Sequence, residues 1–349
     1  MCELLALCFN KKIRPYISFR AFRESGEYNP HGWGIAFYPE PHVACIFKEN
    51  LPVKESILAD FISKYHGLRS KIFICHVRFG TSGGRYYRNT HPFSRELLGR
   101  DYVFAHNGTI NYKGLRFVRF KPIGETDSER VFCYILDRIS ERGINSWGLD
   151  EFRWIHELFL EINSRGYLNC LLSDGEYLFC YSDMKGFNRM CYVYRAPPYP
   201  RVRLRDLDWE IDLNLTKSED EKGYVIATYP LTNENWETFS DGELLILRDG
   251  EIIYRSHRPA KFRVSEIDLD ILKIIRLSRH RVSLKIIMDK LSGKYSSDEI
   301  KHHVGLLLSH GYIRQDNRDV VRWDKPMATF YTNPRKRQYI DSLLGKSNY

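Results

Sequence analysis

Apolar residues in the first two thirds of the chain come in short, nearly continuous runs: Leu4–Phe9, Trp33–Tyr38, Val43–Phe47, Ile72–Val77, Tyr102–Ala105, Leu168–Leu172, Tyr177–Tyr181, Tyr224–Ala227 and Leu244–Leu247. Runs of that length, too apolar for a strand with one wet face, predict strands buried on both sides. Between them, Glu55–Tyr65, Asp127–Ile139 and Leu149–Asn163 repeat their apolar positions at helical spacing. The sheets are therefore expected to be covered by helices rather than bare. Glu243–Tyr254 reads as a hairpin turning at Asp249-Gly250, a dipeptide suited to the positive φ angles of a tight turn. From Pro197 to Lys222 the pattern dissolves into Pro, Arg, Asp and Glu, which predicts a surface excursion.

The period changes after Tyr254. Arg255–Lys261 carries charge and Pro259; beyond it Ile267, Ile271, Leu272 and Ile275, then Leu284, Ile287, Met288 and Leu291, then Ile300, Val304, Leu307 and Leu308 mark three short helices. Tyr312–Arg314 and Val320–Trp323, joined through Asp316-Asn317-Arg318, read as a strand pair. Three helices and a hairpin are the parts of a winged helix-turn-helix, with Asp298–His310 as its third helix. The expected division is an α/β domain over 2–258, a winged-helix-like domain over 259–325 and a basic tail over 326–349.

Composition narrows the function classes. With 349 residues, 43% hydrophobic and 28% charged, the chain suits a globular protein of about two domains and not a disordered one. No uncharged apolar stretch approaches the ~20 residues of a membrane helix, and Glu3 and Arg14 around a short apolar run make a poor secretory signal. A cytoplasmic protein without a membrane partner is expected. Eight cysteines lack any C-x-x-C pair, so most are expected as reduced core residues, with no metal site and no disulfide framework.

The net charge of +9 is unevenly spread. Residues 1–258 hold 35 Lys and Arg against 34 Asp and Glu, whereas residues 259–349 hold 18 against 10, including Arg335-Lys336-Arg337. Such asymmetry points to an acidic partner for the smaller part, nucleic acid being the commonest. Lys301, His302 and Gly305 fall on the expected outer face of the third helix, and His302-His303 read as surface residues. Asp298 and Glu299 at the start of that helix would repel phosphate, and winged helices also serve as protein-interaction modules.

Met1-Cys2-Glu3-Leu4-Leu5 opens a route to nucleophilic chemistry. If Met1 is removed, Cys2 holds both a thiol and an α-amine of pKa ~7.7–8.0, so nucleophile and base share one residue. The plainer reading is a core thiol on the first strand. Four motifs follow in order: Cys75-His76-Val77-Arg78-Phe79-Gly80-Thr81, Asn89-Thr90-His91-Pro92-Phe93, Ala105-His106-Asn107-Gly108-Thr109-Ile110 and Gly124-Glu125-Thr126-Asp127-Ser128-Glu129. Together they resemble the class II glutamine amidotransferases, N-terminal-nucleophile hydrolases with a leading cysteine. The resemblance covers about residues 2–258. His31-Gly32-Trp33-Gly34-Ile35-Ala36-Phe37-Tyr38 and Ala227-Thr228-Tyr229-Pro230-Leu231-Thr232 look closest to the stand-alone YafJ-like subgroup. Thr228 and Tyr229 depart from the Ser and Glu of many of its members.

The resemblance implies a four-layer αββα sandwich and assigns roles. Cys2 is the nucleophile; Asn107 and Gly108 form the oxyanion hole; Arg78 grips the substrate α-carboxylate and Asp127 its α-ammonium, with Thr81 and His91 in the same substrate site. Each has a plain alternative: Arg78 a surface ion pair, Asp127 an ordinary helix-start carboxylate within the capping box Thr126–Glu129, Asn107-Gly108 a turn after strand Tyr102–Ala105. His76, His91 and His106 read first as hydrogen-bonded core groups, and Gly83-Gly84 as either a closing loop or a simple turn. No cofactor is expected. The substrate implied is glutamine or a γ-glutamyl compound. Residues 259–349 are too few for a synthase domain, so any ammonia acceptor belongs to a separate chain. The rival reading is a DNA-binding regulator that senses such a metabolite with little turnover.

Overall fold

The computed structural model describes residues 2–25, 29–80, 83–204, 210–256, 264–278, 280–309, 312–315 and 325–345. The chain divides into two compact units, residues 1–256 and 257–349.

In the first unit the elements run β1 (Glu3–Ile13), α1 (Tyr16–Ser25), β2 (Trp33–Glu40), β3 (Val43–Glu49), α2 (Ile57–Lys64), β4 (Ser70–Val77), β5 (Phe93–Leu97) and β6 (Arg100–Ile110). Then come α3 (Asp127–Arg142), α4 (Leu149–Ser164), β7 (Gly166–Ser173), β8 (Leu178–Tyr181), β9 (Cys191–Arg195), β10 (Arg201–Arg203) and β11 (Glu210–Asp212). The unit closes with β12 (Gly223–Ala227), β13 (Glu237–Thr238), β14 (Leu244–Arg248) and β15 (Glu251–Arg255). One sheet has the order β13-β9-β12-β1-β4-β2-β3 and the other β15-β14-β8-β7-β6-β5.

The side-chain alternation of β1 shows how the layers form. Leu4, Ala6 and Cys8 join Val103, Ala105, Leu171 and Leu245 between the two sheets. Leu5, Leu7 and Phe9, on the opposite face, pack with Phe19 and Phe22 of α1 and Ile62 of α2. Beyond the second sheet, Phe104 and Phe179 lie with Phe132 and Phe159 of α3 and α4, the Phe104 and Phe132 rings stacked 5.3 Å apart. Most strand side chains between the two sheets are thus taken from water, at about 1.5–3 kcal/mol for each large apolar group. The result is a four-layer αββα sandwich, as the resemblance implied.

Three readings change at this level. Helix α1 escapes the apolar pattern because Ile17, Phe19, Ala21 and Phe22 are interleaved with Arg20 and Arg23 at no clean helical spacing. Asn107-Gly108 is not a turn: β6 continues through it to Ile110, paired with β7. The stretch from Pro197 to Lys222 is more than a surface excursion, since Tyr199, Val202, Leu204, Ile211 and Leu213 are buried in the layer beneath α1 and α2. The hairpin at Asp249-Gly250 has φ of +50° and +76° there, as a tight turn requires. All eight cysteines are free, and six are buried.

The second unit contains α5 (Glu266–Leu277), β16 (Val282–Ser283), α6 (Leu284–Leu291), α7 (Ser297–Ser309), β17 (Ile313–Gln315), β18 (Thr329–Thr332) and α8 (Arg337–Leu343). Its core joins Ile271, Leu272, Leu284, Ile287, Ile300 and Val304. The strand opposite β17 is β18, with Ile313 facing Thr332; Val320–Trp323 lies outside the described residues. Residues 326–349 are not merely a tail. Phe330 and Ile340 are fully buried, and Asp341 pairs with both guanidinium arms of Arg276 at 2.8 Å. Nor are both adjacent histidines on the surface: His302 is exposed, but His303 Nδ1 lies 2.8 Å from buried Asp268.

Candidate active site

Cys2 stands immediately before β1, and Arg78 immediately after β4, because Glu3 pairs with Val77. Two adjacent strand ends of the first sheet therefore deliver the thiol and the guanidinium side by side. The thiol accepts the Phe79 N–H at 3.1 Å and donates to the Phe79 carbonyl, also at 3.1 Å. From the second sheet, the Asn107 side-chain amide donates to the Cys2 carbonyl at 2.6 Å. That bond crosses from β6 to the start of β1 and ties the facing sheet ends together.

Gly108 can only be glycine. Its φ is +156°, and a Cβ would stand 2.0 Å from the Tyr167 carbonyl oxygen, so any side chain would force β6 and β7 apart. Asp127 is the first residue of α3, fixed by the Thr126 cap, and its carboxylate accepts the Ile110 N–H at 2.7 Å. The end of β6 and the start of α3 are thereby locked in register. The capping box is half formed. Thr126 Oγ1 accepts the Glu129 N–H, but the Glu129 carboxylate turns to the N–H groups of Ile123 and Gly124 and to Arg95 at 2.5 Å.

The charges of these groups act on one another. Burial pushes the Cys2 thiol up, outweighing the Phe79 N–H, the chain's amino terminus and Arg78, which lower it; Asp127 raises it further. The resting group is a thiol, and attack requires a base. Burial also lowers Arg78, opposed by Cys2 and Asp127. Arg78 is only 3% exposed, which removes the reading as a surface ion pair. Its guanidinium donates to the carbonyls of Gly83 at 3.2 Å, Gly84 at 3.3 Å and His31 at 3.5 Å.

His31 and Asn89 belong to this assembly although sequence reasoning gave neither a role. His31 Nδ1 accepts the Gly80 N–H at 2.9 Å and its ring lies 5.4 Å from Phe79. Asn89 donates to Gly84 and to Glu125 and accepts the Glu125 N–H, bridging the loop after Arg78 to the start of α3. The only signal available for either was its position inside a quoted motif. Thr81 lies outside the described residues.

His91 is placed in the packing rather than in the cluster around Cys2. Its ring centre lies 4.2 Å from that of His76 and 4.5 Å from that of Phe93, tilted to both, and it is 4% exposed. The expectation that the three histidines are hydrogen-bonded core groups holds for His106, held by Ser128 Oγ and the Tyr167 carbonyl. It fails for His76 and His91, whose ring nitrogens make no hydrogen bond of ordinary geometry among the described residues. Burial pushes His76 down to about 3 and His91 well below its usual value. Among the described residues no group of His, Cys, Asp and Glu is placed to hold a metal ion, and no helix is long and apolar enough to cross a membrane.

Residues 1–267 match the family model of glutamine amidotransferases class-II. An uncharacterised protein of Methanocaldococcus jannaschii is 46% identical over 99% of this chain and 96% of its own length. A protein of Escherichia coli named "Putative glutamine amidotransferase YafJ" is 36% identical over 72% of this chain and 99% of its own length. Among solved structures, a predicted glutamine amidotransferase from Pseudomonas aeruginosa superposes with a TM-score of 0.52 at 28% identity, over 72% of this chain and 95% of that one. The glutamine phosphoribosylpyrophosphate amidotransferase of Bacillus subtilis shares the fold, with a TM-score of 0.50 at 16% identity over 73% of this chain and 49% of that one.

Proposed function

Since the chain belongs to the class II glutamine amidotransferases, we propose that it cleaves the γ-amide of glutamine or of a γ-glutamyl compound through a thioester on Cys2. The observation that carries this reading is the convergence of three separate elements on Cys2: Arg78 and Phe79 just beyond β4, Asn107 on β6 and Asp127 at the start of α3. With Met1 removed, the Cys2 α-amine takes the thiol proton as sulfur attacks the amide carbon. Supporting this, no histidine ring is hydrogen-bonded to the thiol among the described residues.

The carbonyl oxygen becomes an oxyanion, which the Asn107 amide and the Gly108 N–H meet from the end of β6. Collapse of the intermediate breaks the C–N bond, and the ammonium returns its proton to the leaving ammonia or amine. Water then attacks the thioester and restores the thiol. Arg78 and Asp127, of opposite charge, supply partners for the carboxylate and ammonium of the amino-acid end. The test is ammonia release from glutamine and γ-glutamyl compounds, with intact mass to follow Met1. Cys2→Ala is expected to abolish turnover, and activity in a protein that retains Met1 would overturn the mechanism.

For the second unit we propose a winged helix that contacts double-stranded nucleic acid through phosphates. What supports it is the excess of 18 Lys and Arg over 10 Asp and Glu in residues 259–349.

A further inference from the structure

Strand β1 begins at the candidate active site and ends, about 30 Å away at ~3.3 Å per residue, beside a cavity of about 550 Å³. None of the proposed catalytic or substrate-binding residues lines it. Its walls carry six cations, Lys11, Lys12, Arg14, Arg69, Arg195 and Lys217, against one carboxylate, Glu221.

Three of the six are already matched. Lys11 pairs with Asp220, Lys217 with Glu221, and Arg195 with Glu234 at 2.6 Å. The other three meet no carboxylate among the described residues. Lys12 donates to the Pro39 carbonyl at 2.7 Å, Arg14 lies 5.6 Å from the Tyr16 ring centre, and Arg69 is exposed. The Arg14 Nε is buried and makes no hydrogen bond among the described residues. A buried guanidinium nitrogen without an acceptor is costly unless something else supplies one.

Two further features define what would fit. The first turn of α1, Tyr16 to Ser18, lines the same cavity, and the positive end of a helix favours an anion. Leu7, Phe9, Ile13, Ile17 and Leu215 also line it, and of these Leu215 is largely exposed. Unmatched cations together with apolar surface, in a volume within the usual ~300–1,000 Å³ of small-molecule sites, describe an amphiphilic anion.

We propose that this cavity binds a small phosphorylated metabolite with an apolar body. The phosphate sits against Arg14, Lys12, Arg69 and the first turn of α1, and the body lies along Ile17 and Leu215. Three unmatched cations suit a doubly charged phosphomonoester better than a single carboxylate, and the guanidinium of Arg14 offers it paired donors.

Calorimetric titration of the full chain with phenyl phosphate, inorganic phosphate and citrate tests this. One phenyl phosphate is expected per chain, bound at least tenfold more tightly than inorganic phosphate and weakening as salt rises from about 50 to 300 mM. Arg14→Gln and Arg69→Gln should each cost tenfold or more in that affinity at an unchanged melting temperature, with ammonia release from glutamine as in the wild type. Absence of saturable binding, or binding unchanged in both variants, overturns the site. Tighter binding of citrate overturns the phosphate assignment, and equal binding of phosphate and phenyl phosphate overturns the apolar body.

Discussion

The Asn107 side-chain amide donates to the nucleophile's own backbone carbonyl, and in the proposed mechanism the same amide group meets the developing charge. Asn107→Ala should therefore lower kcat by ~10²–10³, the range for one oxyanion donor, with a smaller change in KM. Arg78→Lys should act the other way, raising KM, because an ammonium cannot reproduce the fork that spans Gly83, Gly84 and His31. Steady-state kinetics separates the two, and equal effects on both parameters would contradict the division of labour. Cys2, Arg78, Asn107 and Asp127 were legible because their chemistry restricts residue type within short motifs. His31 and Asn89 were not. They act on backbone groups 49 and 36 positions away, contacts that leave no local pattern.

At the scale of the element, β4 and the segment leading into β5 bring His76 and His91 together inside the sandwich. Both stay neutral in the folded chain, whereas the unfolded chain takes up protons below about 6.5. Stability is thus present above that pH and lost as pH falls from about 6.5 towards the folded value of about 3 for His76. For His76 the loss between pH 7.5 and 5 is about 2 kcal/mol. Urea unfolding at the two pH values should show it, and His76→Leu should lose correspondingly less on acidification; equal losses would mean that His76 does not carry the effect. Strands with continuous apolar runs were readable for the same reason that these histidines are stranded, namely burial on both faces. Helices α1 and α8 were not: in α1 Ser18, Arg20 and Arg23 break up the apolar run Ile17, Phe19, Ala21 and Phe22, and in α8 Ile340 is the one buried position among the described side chains.

At the scale of the whole molecule, the two units divide near Ser256, and every proposed catalytic group lies in the first. Truncation after Ser256 should keep ammonia release and abolish a gel-mobility shift of duplex DNA, a shift that in the full chain should fade with salt. No shift at low salt would redirect the second unit to protein contacts. The order of strands in the first sheet also sets a timetable. β1 is central, flanked by β4 and β12, and Leu5 cannot meet Ala227 until that residue has been made. At about 5–20 residues per second on the ribosome, the nascent chain carries its cysteine for roughly ten to forty-five seconds with one side of β1 unpaired. Leu4, Ala6 and Cys8 also share the layer between the sheets with Ile226 and Leu245, so the inner core around β1 closes only when those late strands arrive.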